Sequence, residues 1–315
     1  LPVEHYSGPG TTREAPVRPP PHYMPAMITP FDDEGNIIFE AHGHNLRLQQ
    51  ERGVTGFLLG GSTGEGPYLE SGERALLVAE ARAELGEEPY LMCGVAGQSV
   101  RQANVQVEEC ATGGADAALV LTPTSLARGN HRAVVRFYEA VAEAAPIPIF
   151  LYSVPAVTGY ELPIDSVAVL AEHPSVVGMK DSGGRPIHMK ELSQSTPDEF
   201  MLYVGSSSTV AKATAAGAVG AITASGNYAP ELLSSLVLTA RSSVTAAEPQ
   251  QIRLTEATRD IETFGVAGTK AAAGAAGMWT GIPRRPLHPI DRTELARIAE
   301  IIATVRKSVD AAVAG

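Results

Sequence analysis

Residues 175–184 read SVVGMKDSGG, a short apolar run that ends at Lys180 and continues into a Gly-rich turn. A run that is apolar at nearly every position is typical of a strand covered on both faces, as in a parallel sheet. An amine at the end of such a strand is costly to keep charged, and a neutral amine can attack a carbonyl to form a Schiff base. The alternative is a lysine whose stem follows the strand end while its ammonium reaches solvent. Lys180 is therefore a candidate nucleophile.

Seven further runs share this character, and amphipathic helical patterns lie between them. The eight runs are residues 24–29, 56–60, 90–94, 117–122, 147–152, 176–180, 201–205 and 219–223. Eight repeats of strand and helix within roughly 250 residues predict an α/β fold of the (β/α)8 TIM-barrel type. The competing fold is a doubly wound open sheet. The chain has no G-x-G-x-x-G after its first run and no P-loop, which disfavours that fold.

The segments outside the repeats differ in composition. Residues 1–22 are rich in Pro, Gly and charge, which is typical of a flexible arm, and such an arm could lie on a neighbouring subunit. Residues 23–245 hold the repeats and form the expected catalytic barrel. Residues 246–315 are Ala-rich with spaced Ile, Leu and Val, interrupted by prolines near 283–289. We expect this part to be a C-terminal helical appendage packed on the barrel.

Composition limits the partners and the compartment. The chain has 24 Lys and Arg against 35 Asp and Glu, a net charge of −11 that argues against nucleic acid or an anionic membrane as a partner. We find no run of 18 or more apolar residues and no signal peptide, so we expect no membrane span and a cytoplasmic location. Cys93 and Cys110 lack the spacing of a zinc site. We expect neither a metal nor a cofactor.

The chemistry of a (β/α)8 barrel gathers at the carboxyl ends of its strands. The second run leads into GSTGEG at residues 61–66. The hydroxyls of Ser62 and Thr63, set between glycines, could hold a carboxylate, or one of them could cap the following helix. The fifth run ends at Tyr152, whose phenol could move protons beside a Schiff-base lysine. The alternative is a core tyrosine with its hydroxyl bonded to the backbone.

Three motifs, taken in order along the chain, resemble one known family. GSTGE at 61–65, LYSVP at 151–155 followed by TG at 158–159, and GMKDSGG at 178–184 are similar to motifs of the dihydrodipicolinate synthase / N-acetylneuraminate lyase family. The resemblance covers roughly residues 23–310 and implies a lysine-dependent class I aldolase built on a (β/α)8 barrel. The family is usually tetrameric, so we expect a homo-oligomer, a tetramer or a dimer. Many substrates share these motifs, so they indicate the family better than the substrate.

The resemblance assigns a role to each matching position. It implies that Lys180 forms a Schiff base with a 2-oxo acid, normally pyruvate, and that Tyr152 shuttles protons near the substrate carbonyl. It implies that Ser62 and Thr63 bind the carboxylate of the 2-oxo acid, with Thr63 also linked to Tyr152. Two further positions fall where the family lines the pocket near the lysine, namely Gly205 and Ile222.

Two positions depart from the family pattern. Dihydrodipicolinate synthases have an arginine at the position of Val157, where it serves the carboxylate of aspartate semialdehyde, the second carboxylate in the reaction after that of the 2-oxo acid. A valine cannot replace that clamp, which argues against dihydrodipicolinate synthesis. Family members commonly have a tyrosine at the position of Ser125, and this tyrosine completes a hydroxyl relay across a subunit interface. His131 is a possible substitute for that phenol, although a solvated histidine on a helix face is the simpler interpretation.

We weigh three functions from this pattern. The motifs are most similar to those of 4-hydroxy-2-oxoglutarate aldolase, which favours a Schiff-base lyase that joins or cleaves a 2-oxo acid and an aldehyde. The serine at position 125 leaves open a dehydratase or hydratase-aldolase acting on a 2-oxo acid. A barrel that binds a 2-oxo acid without catalysis is the third hypothesis. Sialic acid lyases are less similar, because a different pair of residues usually follows their lysine.

Four other polar positions have simpler explanations. Asp181 could tune Lys180 or bind a polar substrate tail, but a turn residue at a strand end needs no further role. The acidic stretch 32–34 is a solvated turn rather than a metal cluster. We expect Glu65 to serve the Gly-rich turn and the helix after it. We expect Lys270, in the C-terminal appendage, to lie too far from the barrel mouth to act as the nucleophile.

Overall fold

Eight parallel strands alternate with helices in a computed structural model of the chain, which describes residues 18–313. The strands are β1 (Tyr23–Pro25), β2 (Gly56–Leu59), β3 (Tyr90–Val95), β4 (Ala117–Leu121), β5 (Ile149–Ser153), β6 (Val176–Asp181), β7 (Met201–Val204) and β8 (Gly220–Thr223). Every predicted run coincides with a strand. The predicted (β/α)8 TIM barrel is therefore confirmed.

The sheet closes between its first and second strands. The order of hydrogen-bonded neighbours is β1-β8-β7-β6-β5-β4-β3-β2, and a parallel bridge joins Ala26 to Leu58. β1 is shorter than its predicted run, residues 24–29. After Pro25 the chain turns from one neighbour to the other, because Ala26 N–H donates to Thr223 O on β8 and Met27 N–H to Leu58 O on β2. The continuation of β1 thus completes the barrel wall.

Helices surround the barrel and continue beyond it. They are α1 (Phe39–Glu51), α2 (Glu73–Leu85), α3 (Val100–Thr112), α4 (His131–Ala144), α5 (Pro155–Thr158), α6 (Ile164–Ala171), α7 (Pro186–Ser195), α8 (Val210–Ala215), α9 (Pro230–Ser242), α10 (Val244–Glu262), α11 (Gly265–Ala275) and α12 (Arg292–Val313). The last three form the expected C-terminal appendage. Within residues 18–313, no helix combines the length and apolarity that crossing a membrane requires.

Most of the core forms two apolar layers, one on each face of the sheet, and a small third cluster contains Phe31, Leu69 and Leu77. The larger layer lies between the strands and the surrounding helices. The smaller one fills the barrel interior and includes Leu58, Met92, Phe150, Tyr152 and Ile222. Because both faces are covered, each strand is apolar at almost every position, which is the reason the runs were visible in the sequence.

The amino end of the barrel is covered by the end of the expected N-terminal arm. Of that arm, residues 1–17 lie outside the described residues. Residues 18–22 lie against the barrel, where Tyr203 Oη donates to the carbonyl oxygens of Pro20 and Pro21 at 3.2 Å each. Arg18 pairs with Asp116 at 3.4 Å. Main chain therefore covers the end of the barrel opposite to the strand ends that carry the candidate site.

Candidate active site

Lys180 and Tyr152 are paired across two neighbouring strands. Tyr152 on β5 is the register partner of Lys180 on β6, so both side chains point to the same face of the sheet. That face is the barrel interior, where Tyr152 packs in the inner apolar cluster. Lys180 Nζ lies 3.5 Å from Tyr152 Oη and 4.5 Å from the centre of its ring. Lys180 is only 4% exposed, so the lysine does not reach out to bulk solvent.

The phenol of Tyr152 is set up to give and take a proton. Burial by itself raises the pKa of Tyr152, but the positive charge of Lys180 and hydrogen bonds from Ser62, Ser182 and Lys180 outweigh it, and the pKa is lowered overall. A phenol with a lowered pKa is a better proton shuttle at neutral pH than an ordinary tyrosine. Its hydroxyl has partners in the site, so Tyr152 is not a core tyrosine bonded only to the backbone.

The turn after β2 carries the two candidate carboxylate-binding hydroxyls. Ser62 Oγ lies 3.4 Å from Tyr152 Oη, and Thr63 lies half-buried beside it on the same turn. The hydroxyl within hydrogen-bonding distance of the phenol is therefore that of Ser62, whereas the family resemblance implied Thr63. A side chain at position 64 would not fit this turn, since a β-carbon on Gly64 would lie 2.7 Å from Met27 O. The turn therefore packs closely against the segment that follows β1.

Ser182 is a member of the site to which sequence reasoning gave no role. Its hydroxyl contributes to the lowered pKa of the Tyr152 phenol. The sequence could have predicted this role, because Ser182 stands two residues after Lys180 and strand residues two apart share a face. Ser153 O accepts a hydrogen bond from Ser182 N–H at 2.9 Å, which extends the β5–β6 pairing to this residue.

Gly205 lies against the side chains of Ser182 and Lys180, and Ile222 lies in the barrel interior. A β-carbon on Gly205 would overlap Ser182 Oγ and lie 2.8 Å from Lys180 Cε, so the absence of a side chain there makes room for the lysine. Gly205 N–H also donates to Asp181 O at 2.7 Å, which fixes the two strand ends together. Ile222 is fully buried on β8 and belongs to the same inner cluster as Tyr152.

The two departures from the family pattern lie on exposed loops. Ser125 is exposed after β4, and its N–H donates to Gln98 Oε1 at 3.0 Å. Val157, in the single turn of α5, is 65% exposed. The short helix α5 was not predicted; it starts with Pro155, whose fixed φ suits the first position of a helix. Neither position brings a charged group or a phenol to the site.

His131 is engaged outside the cluster. Its Nδ1 lies 2.7 Å from Tyr160 Oη, and the two rings are tilted with their centres 5.7 Å apart. His131 is the exposed first residue of α4, as expected for a histidine on a helix face. The hydroxyls that meet the phenol of Tyr152 are those of Ser62 and Ser182, so His131 is not needed to explain the hydrogen bonding of that phenol.

Asp181 faces away from Lys180, as neighbouring residues of a strand do. It is buried, and its Oδ1 accepts a hydrogen bond from Gly183 N–H at 3.1 Å, as expected of a turn residue. Burial, as the main cause, raises the pKa of the Asp181 carboxyl. The expectation for Lys270 needs correction. Its Nζ lies 2.7 Å from Glu65 Oε1 and so reaches the turn that carries Ser62, although it is engaged there in an ion pair.

The donor set of the site does not suit a metal ion. Within residues 18–313 there is no group of three or more His, Cys, Asp or Glu side chains placed to hold one. The groups that converge on Lys180 are hydroxyls and a phenol. Such groups bind carboxylates and move protons, and a neutral amine beside them can form a covalent bond to a carbonyl carbon.

Comparison with known proteins agrees with the barrel and its motifs. The model of the dihydrodipicolinate synthetase family matches residues 20–305. A 4-hydroxy-tetrahydrodipicolinate synthase from an Exiguobacterium species is 29% identical over 87% of this chain and 94% of its own length. An uncharacterized DapA-like lyase of Halobacterium salinarum is 30% identical over 89% and 92% of the two chains. The solved 4-hydroxy-tetrahydrodipicolinate synthase of Methylacidiphilum fumariolicum is 27% identical with a TM-score of 0.84, covering 92% and 98%.

Proposed function

This chain belongs to the dihydrodipicolinate synthetase family and is a lyase of the class I aldolase type, and on that premise we propose that Lys180 forms a Schiff base with a 2-oxo acid. The observation that carries the proposal is the convergence of Lys180 Nζ, the Tyr152 phenol and the Ser62 hydroxyl in the barrel mouth. The reaction then forms or cleaves a carbon–carbon bond between pyruvate, or another 2-oxo acid, and an aldehyde.

Binding of the 2-oxo acid places its carbonyl carbon at the amine. The hydroxyls of Ser62 and Thr63 hold the carboxylate, which leaves the adjacent carbonyl facing Lys180. Lys180 first gives its proton to the Tyr152 phenolate; the neutral amine then attacks that carbon, and the carbonyl oxygen leaves as water, with protons supplied through Tyr152. The product is an iminium. Holding both partners in one small space lowers the entropic part of the barrier.

The iminium nitrogen then accepts electrons from the bond that breaks. Tyr152, as phenolate, takes the proton of the substrate hydroxyl, the bond between the third and fourth carbons cleaves, and an aldehyde leaves. The electron pair of that bond passes to the iminium and gives an enamine. Protonation of the enamine and hydrolysis release the 2-oxo acid and regenerate the amine. The lowered pKa of Tyr152 suits this step, because it makes the phenolate accessible.

The second substrate is the open part of the proposal. The similar relatives are named 4-hydroxy-tetrahydrodipicolinate synthases. The exposed, apolar Val157 argues against aspartate semialdehyde as the aldehyde, because it offers no charged partner where that group of enzymes has arginine. We propose an activity like that of 4-hydroxy-2-oxoglutarate aldolase, supported by the similarity of the motifs around Tyr152 and Lys180. The second carboxylate of that substrate is then bound by a group other than residue 157.

Trapping with borohydride tests the proposal directly. Incubation with pyruvate and borohydride should add one reduced pyruvate unit to the protein, and peptide mass spectrometry should locate it on Lys180. Lys180→Ala should remove the adduct, while Lys212→Ala, at an exposed lysine, should keep it. The absence of an adduct with pyruvate and with every other small 2-oxo acid tried would refute the proposal.

A dehydratase or hydratase-aldolase of the same Schiff-base type is the second candidate. Ser125 favours it, because the missing phenol changes the groups available for proton transfer. Incubation with a 2-oxo-3-deoxy acid separates the two: loss of water without release of pyruvate supports the dehydratase, and release of pyruvate supports the aldolase. The non-catalytic hypothesis predicts neither product, and predicts that Lys180→Ala leaves cellular activity unchanged.

A further inference from the structure

Glu65 has an unusual backbone conformation directly beside the candidate carboxylate site. Its φ is 58°, and among residues 18–313 it is the one residue other than glycine with a positive φ. Such a conformation costs free energy for a residue with a β-carbon and persists only where the surroundings hold it. Glu65 N–H donates to Ser62 O at 3.1 Å, so this residue closes the turn that presents Ser62 and Thr63.

The side chain of Glu65 is held from the C-terminal appendage. Its Oε1 lies 2.7 Å from Lys270 Nζ on α11, and its Oε2 accepts a hydrogen bond from Arg284 N–H at 2.7 Å. Both charged side chains are buried, at 0% exposure for Glu65 and 3% for Lys270. Lys270 Nζ also donates to Ile282 O at 2.6 Å, which ties α11 to the segment that carries Arg284.

A second set of contacts fixes these partners in turn. The guanidinium of Arg284 pairs with both carboxylate oxygens of Glu73, at 2.6 and 2.7 Å, and so anchors the segment to the start of α2. Both cations lie near the ring of Phe31, with Lys270 Nζ 4.8 Å and Arg284 Cζ 4.1 Å from its centre. Phe31 is fully buried. Groups from the barrel and from the appendage therefore meet at Glu65.

We propose that Lys270 is a positioning residue for the substrate carboxylate, acting through its ion pair with Glu65 on the turn that carries Ser62 and Thr63. The inference rests on the proposed function of that turn. The pair holds Glu65 in its left-handed conformation, Glu65 holds Ser62 through the backbone, and Ser62 meets both the carboxylate and Tyr152. The appendage thus contributes to the site through the ion pair of Lys270 with Glu65.

The test separates positioning from general stability. A buried ion pair that loses one partner leaves an unpaired charge, so Lys270→Met alone risks unfolding the protein. The double variant Glu65→Gln/Lys270→Met is neutral at both positions and keeps a side chain of similar length at each. The matched control is Leu254→Ala, which empties a buried position on α10 in the same appendage without touching the turn.

The measurement is the pyruvate concentration that half-saturates borohydride trapping, together with kcat and KM for the retro-aldol reaction. We expect the double variant to need about tenfold more pyruvate, the effect of losing one well-placed hydrogen bond to a charged group. We expect kcat at saturation to change much less than KM. The single variant Lys270→Arg keeps a positive charge beside Glu65, so it should bind pyruvate more tightly than the double variant does. Leu254→Ala should lower Tm and leave the half-saturating concentration unchanged.

Unchanged half-saturation in the folded double variant would overturn the inference. An equal loss of affinity in Leu254→Ala would overturn it too, because the effect would then reflect stability. Failure of the wild-type protein to form any adduct is a separate result, since it refutes the proposed function itself.

Discussion

Lys180 and Tyr152 stand in register on adjacent parallel strands, with the amine 3.5 Å from the phenolic oxygen inside a closed barrel. Because parallel neighbours in register point to the same face, the pairing of β5 and β6 places both side chains on the inner face of the sheet. The same contact lowers the pKa of Tyr152. One strand pairing therefore places the candidate nucleophile and its proton shuttle.

Removing the hydroxyl of Tyr152 should lower catalytic activity and leave the fold intact. We expect Tyr152→Phe to lower kcat by about 10²- to 10⁴-fold, the usual contribution of a positioned acid or base, because the ring stays while the shuttled proton is lost. Tyr203→Phe is the matched control, since Tyr203 is also buried in the barrel but its hydroxyl bonds Pro20 and Pro21 at the other end. Comparison of kcat and of circular dichroism checks this. Equal activity losses in the two variants would contradict the role of Tyr152.

The room beside Lys180 should be sensitive to a single methyl group. Gly205→Ala would press on Ser182 Oγ and on Lys180 Cε, so we expect slower Schiff-base formation, measured as the rate of borohydride trapping. Gly274→Ala is the control, because a β-carbon there meets nothing closer than 3.6 Å and alanine favours a helix. Gly274→Ala should keep the wild-type rate. A normal trapping rate in Gly205→Ala would show that Lys180 has more freedom than this packing allows.

The choice of aldehyde should respond to residue 157. The family resemblance places an arginine at this position in dihydrodipicolinate synthases, so we expect Val157→Arg to favour aspartate semialdehyde, whose carboxylate the arginine can bind. The expected gain in kcat/KM for aspartate semialdehyde is about tenfold, the effect of one added charged hydrogen bond. Val157→Leu, which adds size without charge, should give no gain. If both variants behave alike, the position does not set the specificity for the aldehyde.

Acid should destabilise the protein through a buried histidine. His42 is 1% exposed, and its Nε2 donates to Leu77 O at 3.2 Å. Burial, the main cause, lowers the pKa of His42 from 6.5 to about 4. The unfolded chain therefore binds a proton at a higher pH than the folded protein. The contribution of His42 to the free energy of unfolding is fully present above pH 6.5. It is lost as the pH falls towards 4, which lowers the free energy of unfolding by roughly 3 kcal/mol.

Urea unfolding at pH 7 and at pH 4.5 measures this loss. His42→Gln removes the titrating group and should flatten the pH dependence over that window, while His288→Gln, at an exposed position, should not. A pH dependence that is the same in His42→Gln and in the wild-type protein would assign the acid sensitivity to other groups.

Oligomeric state remains a prediction from the family resemblance. We expect a homo-oligomer, a tetramer or a dimer. Size-exclusion chromatography with light scattering measures the mass directly. A monomer at working concentrations would contradict the expectation, and would also mean that no neighbouring subunit supplies the phenol that is missing at Ser125.

The sequence by itself determined the barrel and its two central groups. Strands covered on both faces must be apolar throughout, so all eight were visible as runs, and strand ends mark where a barrel does its chemistry. Lys180 and Tyr152 could be predicted as candidate catalytic residues because each stands at such a strand end. The tertiary structure decided the contacts between segments. It placed the hydroxyl of Ser62, and not that of Thr63, within hydrogen-bonding distance of the phenol, and it brought Lys270 to Glu65. These depend on how side chains distant in sequence pack together, which a local pattern does not encode.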